Sequence, residues 1–113
     1  MTNYEHDLSD TFRALGDPTR RGVLARLGQG AATVSELSQA YDMALPSFMQ
    51  HLKVLEKSGL VLSHKTGRSR IYKLQPERIR QAEQWLQKQR QLWEQRLDQL
   101  DNYLLQMKEN DHE

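Results

Sequence analysis

The sequence predicts a mainly α-helical fold that carries one small β-hairpin and ends in a long helix. Three observations lead there. Apolar residues recur at helical spacing in short blocks separated by capping and breaking residues. Two short β-type runs flank a turn that contains Gly67. After Pro76 neither glycine nor proline interrupts the chain. With 113 residues there is room for one domain around one core. We therefore expect a single domain over 1–113, with its body at 4–74 and its final helix at 76–107.

The elements follow in order. Leu8, Phe12 and Leu15 recur at helical spacing, which predicts a first helix over Tyr4 to Leu15. Gly16-Asp17-Pro18 breaks it: Asp17 is a good N-cap, and Pro18 suits a first helical position, where its missing N–H costs nothing. The second helix turns Val23, Leu24 and Leu27 inward, keeps Arg20, Arg21 and Arg26 mostly outward, and stops at Gly28 and Gly30. Thr33-Val34-Ser35-Glu36 matches a capping box, opening a short helix with Val34, Leu37 and Ala40 on its apolar face. Asp42-Met43-Ala44 is a compact turn. Pro46 sits early enough to be tolerated in the helix that follows, which runs to about Ser58 with Phe48, Leu52 and Leu55 inward and Gly59 as its stop.

Leu60-Val61-Leu62-Ser63-His64 and Ser69-Arg70-Ile71-Tyr72-Lys73-Leu74 then read as two strands, with Lys65-Thr66-Gly67-Arg68 turning between them. Two short helices joined by a tight turn and followed by a basic hairpin make a winged helix-turn-helix.

Charge is unevenly placed. Residues 1–43 carry −2, residues 44–74 carry +5, and residues 75–113 carry −2. The positive stretch coincides with the second helix of the motif and the hairpin, as expected of a face turned to a polyanion. On a helical wheel Ser47, Gln50, Lys53 and Lys57 lie opposite the Phe48, Leu52, Leu55 face. Gln50 can read adenine, Ser47 can donate or accept, and Lys53 suits guanine or phosphate. Lys65, Arg68 and Arg70 around Gly67 can reach the minor groove or the phosphates. The alternatives are an ordinary solvated helix face, and a hairpin made basic to discourage edge-to-edge pairing. His51 sits at the edge of the apolar face, either as a hydrogen-bonded structural histidine or as a phosphate donor.

Along the final helix Ile79, Ala82, Leu86, Trp93, Leu97, Leu100, Leu104 and Met107 step by three and four, and Trp85, Leu92 and Tyr103 widen the stripe. Some 30 helical residues span about 45 Å, more than one small domain covers by itself. A second copy of the chain is the expected cover, with Leu8 and Phe12 of the first helix joining Leu86, Trp93, Leu97, Leu100 and Leu104 in a dimer interface.

Several classes are set aside. The chain has no cysteine, which excludes disulfides, thiolate metal sites and thiol redox sensing. No apolar run approaches the ~18 residues of a membrane span, and Met1 to Asp7 lack a signal-peptide pattern, so a cytoplasmic protein is expected. No nucleophile elbow, phosphate-cradling loop or paired ligand motif suggests an enzyme or a cofactor. His6, His51, His64 and His112 show no paired spacing, and no metal is expected.

The blocks Phe12-Arg13-Ala14-Leu15-Gly16-Asp17-Pro18-Thr19-Arg20-Arg21, Val34-Ser35-Glu36-Leu37, Gln50-His51-Leu52-Lys53-Val54-Leu55 and Ser58-Gly59-Leu60-Val61 resemble the arsenic-repressor-type (ArsR/SmtB) regulators. Gly67-Arg68 and Tyr72-Lys73-Leu74 match that family's wing. The resemblance, over about residues 8–105, implies a homodimer that binds double-stranded DNA at a pseudo-palindromic operator, represses transcription and lets go on a signal. It names no inducer. Met49 stands where the family usually has a small hydroxyl residue, and a thymine methyl group is a partner an apolar side chain could take there. Ser38 and Ala40 occupy the region where metal-sensing members place thiolates, and the last helix has no histidine before His112, which points to a metal-independent member. Ser47, Met49, Gln50, His51, Lys53, Lys65, Arg68 and Arg70 are the expected DNA contacts. The rival reading is a winged helix used as a protein–protein adaptor.

Overall fold

The computed structural model describes residues 4–111, which leaves His112 outside. Eight elements follow one another: α1 (Tyr4–Leu15), α2 (Pro18–Leu27), β1 (Ala32–Thr33), α3 (Val34–Ser38), α4 (Leu45–Lys57), β2 (Val61–Thr66), β3 (Ser69–Leu74) and α5 (Glu77–Asp111). The chain divides into two compact units, one ending at Ala82 and the other beginning at Glu83. The body thus takes in the start of α5, beyond the expected boundary at residue 74, because Ala82 is buried and Ile79 packs on the core.

Local chemistry sets the helix ends. Asp17 accepts the Arg20 backbone N–H at 3.0 Å and caps α2, with Pro18 in its first turn. Thr33 and Glu36 close the capping box of α3 in both directions. At the end of α4 the Leu60 N–H bonds the Leu55 carbonyl and the Gly59 N–H bonds the Glu56 carbonyl. Gly59 has φ +81°, so this is a Schellman stop, in which the left-handed residue favours glycine. Leu55 and Leu60, the pair that such a stop brings together, are both fully buried.

Phe48, Leu52 and Leu55 of α4 form the centre of the core with Val23 and Leu27 of α2, Leu37 of α3, Leu60 just before β2, and Val61 and Tyr72 of the hairpin. Each such side chain contributes about 1.5–3 kcal/mol by leaving water. The buried stripe of α1 is Leu8, Thr11 and Ala14, which leaves Phe12 36% exposed. Two expectations need correction. α3 ends at Ser38, so Ala40 lies outside it and is exposed. Arg20 is half-buried rather than outward: its Nε and Nη2 donate to the Ala14 and Arg13 carbonyls at 2.8 and 3.0 Å. Arg21 Nη1 likewise donates to the Leu15 carbonyl at 2.7 Å. The last carbonyls of α1 have no further helical turn to bond, and the arginines of the next helix satisfy them.

The hairpin is part of a larger sheet. β2 and β3 pair antiparallel from Val61↔Leu74 to Thr66↔Ser69, and β1 adds to the other edge of β3 through Ala32↔Tyr72 and Thr33↔Ile71. Because Thr33 also caps α3, this third strand anchors the start of the helix-turn-helix to the wing. Gly67, at φ +62°, is the first of two residues in the hairpin loop, the position where a tight loop of this length favours glycine.

Candidate nucleic-acid interface

Burying Phe48, Leu52 and Leu55 fixes which side of α4 faces out, and Ser47, Met49, Gln50 and Lys53 are exposed as the periodicity requires. The alternation of β3 does the same for the wing. Tyr72 turns into the core, so Arg70, two residues away, lies on the same face of the strand and projects toward α4. Met49, Gln50, Lys53 and Glu56 of α4 and Arg70 and Tyr72 of β3 line one open recess of about 290 Å³.

The recess is braced by side chains. Ser63 Oγ donates to Glu56 Oε2 at 2.7 Å, and Arg70 Nη1 donates to Ser63 Oγ at 2.9 Å. Burial, with the Glu56 charge as a lesser cause, pushes the Tyr72 phenol above its ordinary pKa, so it stays a neutral lining group. Lys65 stands directly across from Arg70 in the ladder. Two like charges opposed in this way destabilise a sheet.

The other predicted residues fall elsewhere on the body. Arg68 sits at the wing tip, in the two-residue loop, and is exposed. Ser47 and His51, one helical turn apart, occupy the opposite flank of α4 from the recess. His51 is half-buried, with Nδ1 3.2 Å from Arg20 Nη1 and 3.7 Å from Asp17 Oδ2. The bond from the Arg20 backbone is the chief reason the Asp17 carboxyl is held below its ordinary range.

Arg20, Glu56 and Ser63 were not among the expected functional residues. Glu56 had one signal, as the sole acidic group of residues 44–74. Arg20 lies in the Asp17-Pro18-Thr19-Arg20 block, but nothing in spacing links it to a residue 31 positions away.

In the second unit no residue from Arg90 to Asn110 is buried. Leu86, Trp93, Leu97, Leu100 and Leu104 are each 46–59% exposed. Leu8, by contrast, is only 7% exposed and belongs to the core of the body, so of the two α1 residues expected at an interface Phe12 alone offers a large surface. Among the described residues no three histidine, aspartate or glutamate side chains converge as metal ligands, and no helix is long and apolar enough to cross a membrane.

Comparison with known proteins places these features. A helix-turn-helix domain family matches residues 15–64. The crystal structure of an ArsR family transcriptional regulator is 51% identical, with a TM-score of 0.78 over 83% of this chain and 97% of that one. The arsenical resistance operon repressor of Escherichia coli is 38% identical over 66 residues, a stretch that spans 58% of this chain and 56% of the repressor. The homodimeric winged helix-turn-helix DNA-binding domain Mb0332 of Mycobacterium bovis, solved in solution, is 25% identical, with a TM-score of 0.60 over 66% of this chain and 70% of that one. The chain belongs to the ArsR family of transcriptional regulators.

Proposed function

We propose that the protein is a homodimeric repressor that holds a pseudo-palindromic double-stranded DNA site, α4 lying in the major groove and the β2–β3 wing on the neighbouring backbone. The observation that carries this reading is the recess in which Met49, Gln50 and Lys53 of α4 meet Arg70 of the wing. One surface therefore joins a hydrogen-bonding amide, an apolar group suited to a thymine methyl and two cations, with the Glu56 carboxylate beside them. Gln50 and Met49 read bases, and Lys53, Lys65, Arg68 and Arg70 neutralise phosphates. Ser47 and His51 meet the backbone on the far flank of α4.

The exposed stripe of α5, with Phe12, serves as the interface with a second copy. At 35 residues α5 is about 52 Å long, a length over which two copies can pair. A two-fold axis then presents two α4 helices to successive major grooves about 34 Å apart. Repression follows from occupying DNA that polymerase needs, and the Escherichia coli relative is named for that action. The chain has no cysteine, so its inducing signal does not enter through a thiolate-bound metal. The site of action is the cytoplasm.

The test is fluorescence anisotropy with the DNA upstream of the protein's own gene against a scrambled duplex of equal length, across a salt series. Two subunits per site, a clear preference for the upstream DNA and a steep salt slope are expected. The double change Arg68→Ala, Arg70→Ala lowers affinity for both duplexes and flattens the slope by roughly 0.9 for each phosphate no longer neutralised. Negligible DNA binding by the unaltered protein would favour the adaptor reading instead.

A further inference from the structure

Arg20 joins the α1–α2 corner to the recognition helix. Its guanidinium has donors and no acceptor, so the 3.2 Å approach of Nη1 to His51 Nδ1 makes that ring nitrogen the acceptor. The imidazole proton then resides on Nε2. The competing partner is Asp17, whose Oδ2 lies 3.7 Å from the same nitrogen, outside hydrogen-bond reach. That carboxylate is already engaged by the Arg20 backbone N–H. Nor is the guanidinium free to swing, because its Nε and Nη2 are spent on the Ala14 and Arg13 carbonyls.

None of the bonds made by His51 uses Nε2. Since no buried side-chain nitrogen or oxygen among the described residues lacks a partner, Nε2 is open to solvent. His51 lies on the flank of α4, beside the buried Leu52 and Leu55 and one turn from Ser47. With α4 in the major groove as proposed above, this flank lies beside the sugar–phosphate backbone.

We propose that Arg20 is a positioning residue: by holding His51 as its Nε2–H form it makes the ring a neutral hydrogen-bond donor to a DNA phosphate. The inference rests on the DNA-binding reading above. A neutral donor strengthens binding but releases no counterion, unlike the cations of the wing.

The tautomer is read in the free protein by nitrogen-15 imidazole NMR, with His51 assigned from the signal that disappears in His51→Gln. The Nε2–H form is expected, and a dominant Nδ1–H form overturns the proposal. Affinity is read against the duplex that the unaltered protein enriches from a random-sequence pool. His51→Gln places an amide N–H near the position of Nε2 and should keep most of the affinity that His51→Asn loses. His51→Asn places its polar atoms near Nδ1 and should bind at least about tenfold more weakly, with the salt slope unchanged. Equal affinity of the two variants, or a slope that falls in the asparagine variant, overturns the proposal.

Arg20→Ala separates positioning from folding. It should weaken binding when His51 is present and change it little when combined with His51→Gln, while lowering the melting temperature equally in both backgrounds. Equal losses of affinity in the two backgrounds would reduce Arg20 to a structural role. If the unaltered protein enriches no duplex, the DNA-binding reading itself fails, and this inference with it.

Discussion

Ser63 Oγ on the wing donates to Glu56 Oε2 on the recognition helix at 2.7 Å, and the same hydroxyl accepts from Arg70 Nη1. A single small side chain thus fixes the wing arginine relative to α4. Ser63→Ala leaves Arg70 charged and removes its anchor. Operator affinity should fall by a few-fold, in line with ~0.5–1.5 kcal/mol for one hydrogen bond, with the salt slope retained. Anisotropy titrations at three salt concentrations check both quantities. A slope reduced as far as that of Arg70→Ala would mean the serine acts by some other route.

The exposed stripe on α5 carries a prediction about assembly. Leu97→Glu with Leu100→Glu places like charges in the expected interface, where burial of an unpaired carboxylate is costly. Sedimentation should give a monomer, circular dichroism should show the helical body intact, and operator binding should vanish together with the dimer. A monomeric variant that binds the operator tightly would sink the two-fold arrangement.

Two caps predict an acid limb of stability. Backbone N–H bonds, from Arg20 to Asp17 and from Thr33 to Glu36, are the leading causes that hold these carboxyls below their ordinary values of 3.8 and 4.5. A carboxyl depressed in the folded state contributes stability that is fully present above its unfolded pKa. That contribution is lost as pH falls through the depressed folded value. Thermal melts should therefore change little down to about pH 5 and drop below about pH 4. Asp17→Ala should cost about 1 kcal/mol at neutral pH and make the acid limb shallower, whereas Asp17→Ser should recover most of the loss.

Gly59 and Gly67 both have positive φ, but their surroundings differ. A Cβ at Gly59 would stand 2.9 Å from Arg78 Nε, and Arg78 is the ion-pair partner of Asp7 on α1. A Cβ at Gly67 would meet nothing within 4 Å. Gly67→Ala should cost only the backbone term of about 1–2 kcal/mol. Gly59→Ala should cost more than that, because it also displaces Arg78. Denaturant midpoints of the two variants decide the order.

The caps, helix periods and wing were legible in the sequence because each is a local matter. Asp17-Pro18, Thr33 to Glu36 and the Gly59 stop act within a few residues of themselves. The spacing of Phe48, Leu52 and Leu55 alone determines which face of α4 turns outward. The same holds for the exposed stripe on α5, whose residues share one helix. What the tertiary structure decided are relationships between segments far apart in the chain. Ala32 pairs with Tyr72 to add a third strand, Arg20 reaches His51, and Thr11 rather than Phe12 turns inward. Two residues cannot make a strand without a waiting edge, and that edge exists only once β3 is in place. A guanidinium likewise chooses among acceptors by proximity in the packed body, and the linear order of residues does not contain that distance.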